Sequence, residues 1–193
     1  MADAQARTLA LPVAAMVAVV AGSNVAVQYP INDWLTWGAF TYPIAFLVTD
    51  LTNRRLGPAR ARMVVYVGFA LAVVLSALLA TPRIALASGS AFVTAQLLDI
   101  LVFNRLRRLP WWQAPLISSG IASVWDTAVF FGLAFAGTGL PWISWGIGDL
   151  GVKAAMALLL LLPFRALMGP ADALAGQSPI SRLVMNNLLA NDT

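Results

Sequence analysis

The sequence predicts an all-α membrane protein, a compact bundle of six transmembrane helices with both termini cytoplasmic. Three observations carry this prediction. Of the 193 residues, 60% are hydrophobic and 10% are charged, whereas soluble domains carry about 25% charged residues. Mean hydropathy is +0.81, and several apolar runs approach the ~20 residues that a helix needs to cross a bilayer. Basic residues gather in alternate connections between those runs, as the cytoplasmic loops of membrane proteins do.

The first run, Leu9 to Val27, follows Arg7 and resembles a secretory leader. It exceeds the usual length of a leader's apolar region, and further spans follow it, so it reads as a retained helix over about residues 8–28. The second span, about 36–53, is diluted by Thr41, Pro43, Thr49 and Asp50. Discarding it would leave Phe40 to Leu51 as an apolar run in water. Pro43 is expected to kink it, which membrane helices tolerate when neighbours satisfy the freed carbonyl. The remaining spans cover about 63–81, 84–104, 114–136 and 146–168. No low-complexity linker divides the chain, so residues 1–168 read as one transmembrane domain and residues 169–193 as a cytoplasmic tail.

Orientation follows from the arginines. Arg54, Arg55, Arg60 and Arg62 follow the second span, and Arg105, Arg107 and Arg108 follow the fourth. Arg7 and Arg182 flank the termini, Arg165 closes the sixth span, and the alternate connections hold only Arg83. Paired tryptophans (Trp34 and Trp37, Trp111 and Trp112, Trp142 and Trp145) fall at the predicted interfaces. Small residues recur every fourth position in span one (Ala10, Ala14, Ala18, Gly22, Ala26) and in span three (Gly68, Ala72, Ser76, Ala80). Such stripes are expected to let helices pack closely.

Absent residues exclude several chemistries. There is no cysteine and no histidine, so disulfides, thiol catalysis and Cys/His zinc sites do not arise. No cofactor or metal is expected. The chain has no P-loop and no HExxH motif, which argues against ATP hydrolysis by this chain and against an enzyme. The formal charge of +4 is explained by topology rather than by nucleic-acid binding.

All eight acidic residues are aspartates, and Lys153 is the one lysine. Asp50, Asp99, Asp126, Asp149 and Lys153 fall within or at the edges of spans, four acids against one base, a formal charge of −3. Hydrocarbon does not sustain that sum. Asp50 is expected to pair with Arg54, and Asp149 with Lys153, each four residues apart on a helix. Asp126 has no base within a turn on its own helix, and it lies near mid-membrane. Phe92, Gln96, Asp99 and Phe103 share one helical face, as do Ser119, Ser123, Asp126 and Phe130. A carboxylate accepts two adjacent N–H donors, an amide both donates and accepts, and flanking rings suit a flat ligand. That combination fits a planar, amide-bearing heterocycle in the polar interior of a solute carrier. An intramembrane enzyme and a membrane scaffold are the alternatives from other classes.

Four segments, TYPIAFLVTDLTNRRLG, SGSAFVTAQLLDILVFNRLR, SSGIASVWDTAVFF and GDLGVKAAMALLLLLPFRAL, occur in the order found in the queuosine precursor transporter family, also called the vitamin uptake transporter group. The chain resembles that family from about Phe40 to Leu167. The resemblance implies a multi-pass bacterial inner-membrane importer of 7-deazaguanines, such as 7-cyano-7-deazaguanine, that feed synthesis of a modified tRNA base. It also implies kinship with the substrate-binding subunits of energy-coupling-factor importers, which need a separate ATPase module. Ala95 stands where the family pattern leads us to expect glycine. The substrate-binding residues implied are Gln96, Asp99, Asp126, Asp149 and Lys153, with a secondary set of Asp50, Asn104, Arg105 and Trp125. A deazaguanine presents N1–H and a 2-amino group side by side, and either Asp99 or Asp126 suits that edge. Its carbonyl needs a donor, for which Lys153, Gln96 or a serine serves, and its ring can stack on Trp125 or a phenylalanine.

Overall fold

The structure, a computed structural model, describes residues 2–26, 29–32, 35–79 and 81–168. The predicted tail, Arg182, Trp34 and Ala80 lie outside the described residues, and so do the side chains of Arg7 and Ser76. The elements in order are α1 (Ala2–Ala26), β1 (Pro30–Asn32), β2 (Leu35–Thr36), α2 (Gly38–Thr41), α3 (Ile44–Leu56), α4 (Pro58–Leu79), α5 (Pro82–Leu106), α6 (Gln113–Phe135), α7 (Trp142–Leu159) and α8 (Leu161–Leu167). The two strands form a short antiparallel hairpin.

Local chemistry sets the boundaries. Gly57 ends α3 at φ 87°, a conformation glycine adopts without a Cβ clash, and Pro58 opens α4 at once. Thr81 caps α5, accepting the Ile84 N–H on its hydroxyl at 3.4 Å, and Pro82 follows at the first helical position. Two predicted spans are broken. The second divides into α2 and α3 at Tyr42 and Pro43, where proline supplies no N–H. The sixth divides at Leu160. Pro163 lies three residues on, and its ring excludes a bond to the carbonyl of Leu159.

Among the described residues, four stretches are long and apolar enough to cross a membrane: Pro58–Leu75, Pro82–Leu106, Gln113–Phe135 and Trp142–Leu167. The apolar stretch of α1, Thr8–Ser23, is shorter, and α3 has 13 residues. The packing is that of a serpentine bundle. Asp99 meets Ser119 and Thr94 meets Trp125, so α5 and α6 run antiparallel. Thr127 meets Asp149 and Asp126 meets Lys153, so α6 and α7 do the same. By contrast α3 and α5 run parallel, with Thr49 against Gln96 and Asn53 against the Ile100 carbonyl, both 47 residues apart.

The main apolar core joins α1, α3, α4 and α5 around Met16, Val64, Val65, Phe92 and Ile100. The two small-residue stripes differ in fate. In α4, Gly68 and Ala72 are buried, as expected, but in α1 Ala10, Ala14, Ala18 and Gly22 are exposed, while Leu9, Met16, Val20 and Ser23 face inward. One groove suffices for close approach when the opposite helix supplies a knob, and Met16 is that knob. A Cβ at Gly68 would stand 2.7 Å from Met16 Cγ and 3.2 Å from Phe92 Cζ.

The arginines also serve as helix caps. Arg83 donates to the carbonyls of Leu133 (2.9 Å) and Ala136 (2.6 Å), where α6 runs out of its own N–H partners. Arg55 donates to the Leu167 carbonyl at the end of α8. Arg54 donates to the Arg107 carbonyl at 2.8 Å, and Arg107 donates back to the Arg54 carbonyl. Their cations meet the negative ends of helices, which adds electrostatic stabilisation to each bond.

Overpacking a closed groove destabilises by about 1–3 kcal/mol. Gly68→Leu should therefore lower the thermal midpoint in detergent. At Gly22 a Cβ would meet no atom within 4 Å. Gly22→Leu should accordingly change stability by less than about 0.5 kcal/mol.

Candidate functional site

Ser119, Ser123 and Asp126 recur at spacings of four and three along α6, so one stripe of that helix is polar and faces inward. Two polar clusters hang on this stripe, seven residues apart, or about 10 Å along the axis.

The first cluster joins α3, α5 and α6. Ser119 Oγ donates to Asp50 Oδ2 at 3.1 Å and lies 3.5 Å from Asp99 Oδ1. Thr49 Oγ1 donates to Gln96 Oε1 at 2.6 Å. Gln96 and Asp99 have no exposed surface, and Asp50 is 2% exposed. Asp50 turns to Ser119 and Asp99 rather than to Arg54, so the expected i,i+4 ion pair gives way to an interhelical contact. Arg54 instead holds the Arg107 carbonyl and lies over the Phe103 ring, 5.6 Å from its centroid. The Asp50 and Asp99 carboxyls also lie against each other and against Ser118, while Gln96 Nε2 has no hydrogen-bond partner among the described residues.

The second cluster joins α6 and α7 around Lys153. Its ammonium reaches Asp126 Oδ2 at 2.7 Å, Asp149 Oδ2 at 2.5 Å and Thr127 Oγ1 at 3.0 Å. Thr127 in turn donates to Asp149 at 2.8 Å. The expected pairing of Asp149 with Lys153 is present, and the base that Asp126 lacks on its own helix arrives from the neighbouring one. An ammonium has three hydrogens, and each finds an acceptor here. Tyr42 covers the group, its ring centroid 5.9 Å from Nζ.

A cleft of about 340 Å³ of empty space, mouth included, touches both clusters: Asp50 and Ser119 line it from one, Lys153 from the other, with Ser123 between. Pro43, Leu160 and Leu161 line it as well, so both broken helices break at its wall. Gln96, Asp99, Asp126 and Asp149 stand behind this lining, within the hydrogen-bonded clusters.

Several residues singled out from the sequence do not join. Asn104 and Arg105 are exposed at the end of α5. Trp125 is 47% exposed, and its indole N–H donates to Thr94 Oγ1 at 3.0 Å on the outside of the bundle. Phe92 and Phe103 are buried as expected but pack edge-on against Tyr42 and Phe164, so they offer no free ring face. Sequence reasoning missed Thr49 and Tyr42 as partners. The offset of 47 residues between α3 and α5 was the only signal for Thr49, and it needs the packing to be seen; Tyr42 meets Lys153 from a distant part of the chain.

Two aspartates and one lysine give the second cluster a net charge of −1. Lys153→Met leaves two anions with no cation, and breaking a buried pair costs about 3–5 kcal/mol. That variant should unfold at a markedly lower temperature in detergent. Adding Asp126→Asn and Asp149→Asn to it should restore most of the loss.

Comparison with known proteins identifies the family of the chain. Residues 36–81 and 76–168 match the family described as "Putative vitamin uptake transporter". A Haemophilus influenzae protein named "Probable queuosine precursor transporter" is 34% identical, over 75% of this chain and 79% of its own length. The Escherichia coli "Queuosine precursor transporter" is 33% identical over the same shares. A Bacillus subtilis protein named "Probable queuosine precursor transporter" is 28% identical over 65% of this chain and 68% of its own. No solved structure matches the chain significantly. Four apolar helices of membrane-spanning length, a polar cleft among helices and a match that runs through every site-bearing helix lead to one conclusion: this multi-pass membrane protein belongs to the vitamin uptake transporter family.

Proposed function

We propose that the chain is a bacterial inner-membrane importer of queuosine precursors, 7-deazaguanines such as 7-cyano-7-deazaguanine. Residues 1–168 form the transport domain in six passes, with both termini and the tail 169–193 cytoplasmic. The observation that carries this reading is the cleft, where Asp50, Ser119 and Lys153 meet between α3, α6 and α7. Isolated polar pairs would serve as glue between helices. Polar groups that share a hollow serve a solute. The names of the relatives supply the solute class.

Gln96, Asp99, Asp126, Asp149 and Lys153 form the substrate-binding machinery, with Asp50 beside them. Breaks in membrane helices beside a polar cleft are a recurring design of secondary transporters, and the breaks at Pro43 and Leu160 fit it. A gradient-driven carrier acting alone is therefore preferred to a binding subunit served by a partner ATPase, and a transporter to an enzyme.

Asp126→Asn leaves Lys153 with Asp149 as a neutral pair, so the fold should persist. Uptake of labelled 7-cyano-7-deazaguanine, measured in cells unable to make it, should fall to background in this variant while membrane levels of the protein stay normal. Normal uptake by the variant would remove Asp126 from the mechanism. In wild-type cells a protonophore should abolish uptake without a co-expressed ATPase being required.

A further inference from the structure

The two polar clusters meet their charges in different ways. Asp126 and Asp149 hold the Lys153 ammonium at 2.7 and 2.5 Å. Asp50 of α3 and Asp99 of α5 instead lie against each other and against the hydroxyls of Ser118 and Ser119 on α6. An ionised carboxylate only accepts hydrogen bonds, so two of them in contact repel. Contact becomes favourable when one carboxyl keeps its proton and donates it to the other. Gln96 gives a second, separate sign. It lies one turn before Asp99 on the same face of α5, wholly buried, yet its Nε2 has no partner among the described residues. A doubly charged pair would draw that N–H to itself. A pair that already holds a proton does not need it.

Access differs between the two acids. Asp99 has no exposed surface, whereas Asp50 and Ser119 line the cleft. The Ser119 hydroxyl stands 3.1 Å from Asp50 Oδ2 and 3.5 Å from Asp99 Oδ1, which links the outer acid to the inner one. We propose that Asp50 and Asp99 hold one proton in common, and that this proton enters through the cleft and crosses the membrane with the solute. The coupling half of this proposal rests on the importer reading above and deepens it by placing the coupling ion. On loading, a hydronium ion in the cleft gives its proton to an Asp50 oxygen. One O–H bond forms on the carboxyl, one breaks on the hydronium, a water molecule is left, and the pair goes from two negative charges to one. On release the proton passes back to water and the pair regains its second charge. The charged and titratable groups around the pair are already engaged or turn away. Arg54 and Arg107 hold each other's carbonyls. Lys153, Asp126 and Asp149 are joined across the cleft beneath Tyr42, and Arg165 of α8 lies over Trp111. Arg55, Arg62, Tyr66 and Arg105 are exposed, Arg60 is half-buried in the first turn of α4, and Thr8–Ser23 of α1 has no titratable side chain.

Infrared spectra of the full-length protein in lipid nanodiscs test the shared proton without any solute. At neutral pH wild type should show the C=O band of a protonated carboxyl. The band should be lost in the double variant Asp50→Asn, Asp99→Asn and kept in Asp126→Asn, where Asp149 and Lys153 remain a neutral pair. A purely structural role for the two acids would leave no such band to lose. Its absence from wild type, or its survival in the folded double variant, overturns the proposal. Should the double variant not fold, wild type and Asp126→Asn decide: a band missing from either overturns the proposal. Coupling is then measured in proteoliposomes with the membrane potential clamped at zero. A gradient of about one pH unit, acid outside, should accumulate labelled 7-cyano-7-deazaguanine up to about tenfold in wild type, the ratio that one proton per solute allows. Accumulation driven by a sodium gradient instead, or uptake that only equilibrates, overturns the coupling role. No uptake at all by wild type whose infrared band behaves as stated overturns the importer reading and leaves the shared proton standing.

Discussion

Four carboxylates and one ammonium share the interior of a bundle whose surroundings favour neither charge. Removing an ion from water is destabilising by several kcal/mol, and the loss is recovered only by close pairing and complete hydrogen bonding. The chain meets this constraint unevenly. Lys153 gathers two aspartates and a threonine, so that one cation serves most of the charge within its reach. Asp50 and Asp99 have no cation between them and lie against each other and the hydroxyls of Ser118 and Ser119. The rest of the architecture answers to this imbalance: polar residues on α6 face inward, helices break where they pass the cleft, and arginines take up duty at the helix ends.

Much of this was legible in the residues. Hydropathy and arginine spacing located the long helices, because desolvation of the backbone leaves helices as the economical way to cross lipid. Helical periodicity put Gln96 with Asp99, and Ser119 with Asp126, on single faces. The four-residue spacing of Asp149 and Lys153 gave their contact. What stayed hidden was contact between helices. Asp50 and Arg54 have ideal spacing for an ion pair, yet Asp50 turns to Ser119 on α6. The α1 stripe of alanines promised a packing face, but α1 turns its larger residues inward because α4 already supplies the groove. Trp125 looked like a stacking platform by type alone, while its position on α6 points it away from the interior. Each miss has one cause: a pattern within one helix states which residues share a face, and only the neighbouring helices decide where that face looks.

The match to the vitamin uptake transporter family and the geometry support each other through different observations. The family match follows the order of segments in the chain. The cleft follows from the way α3, α6, α7 and α8 converge, which no segment contains by itself.

The reciprocal contact between Arg54 and Arg107 has a consequence for motion. Each guanidinium grips the other helix's main chain rather than a side chain that can swing. The lower halves of α3 and α5 are thereby tied into one lever, and displacement of either carries the other with it. Asp50 lies one turn from that tie and Asp99 two turns from it, so the gap between the two acids is dictated by a clamp at the arginine-rich end. A movement of α3 along α5 would therefore have to break main-chain hydrogen bonds at this clamp before it could change the spacing of these acids.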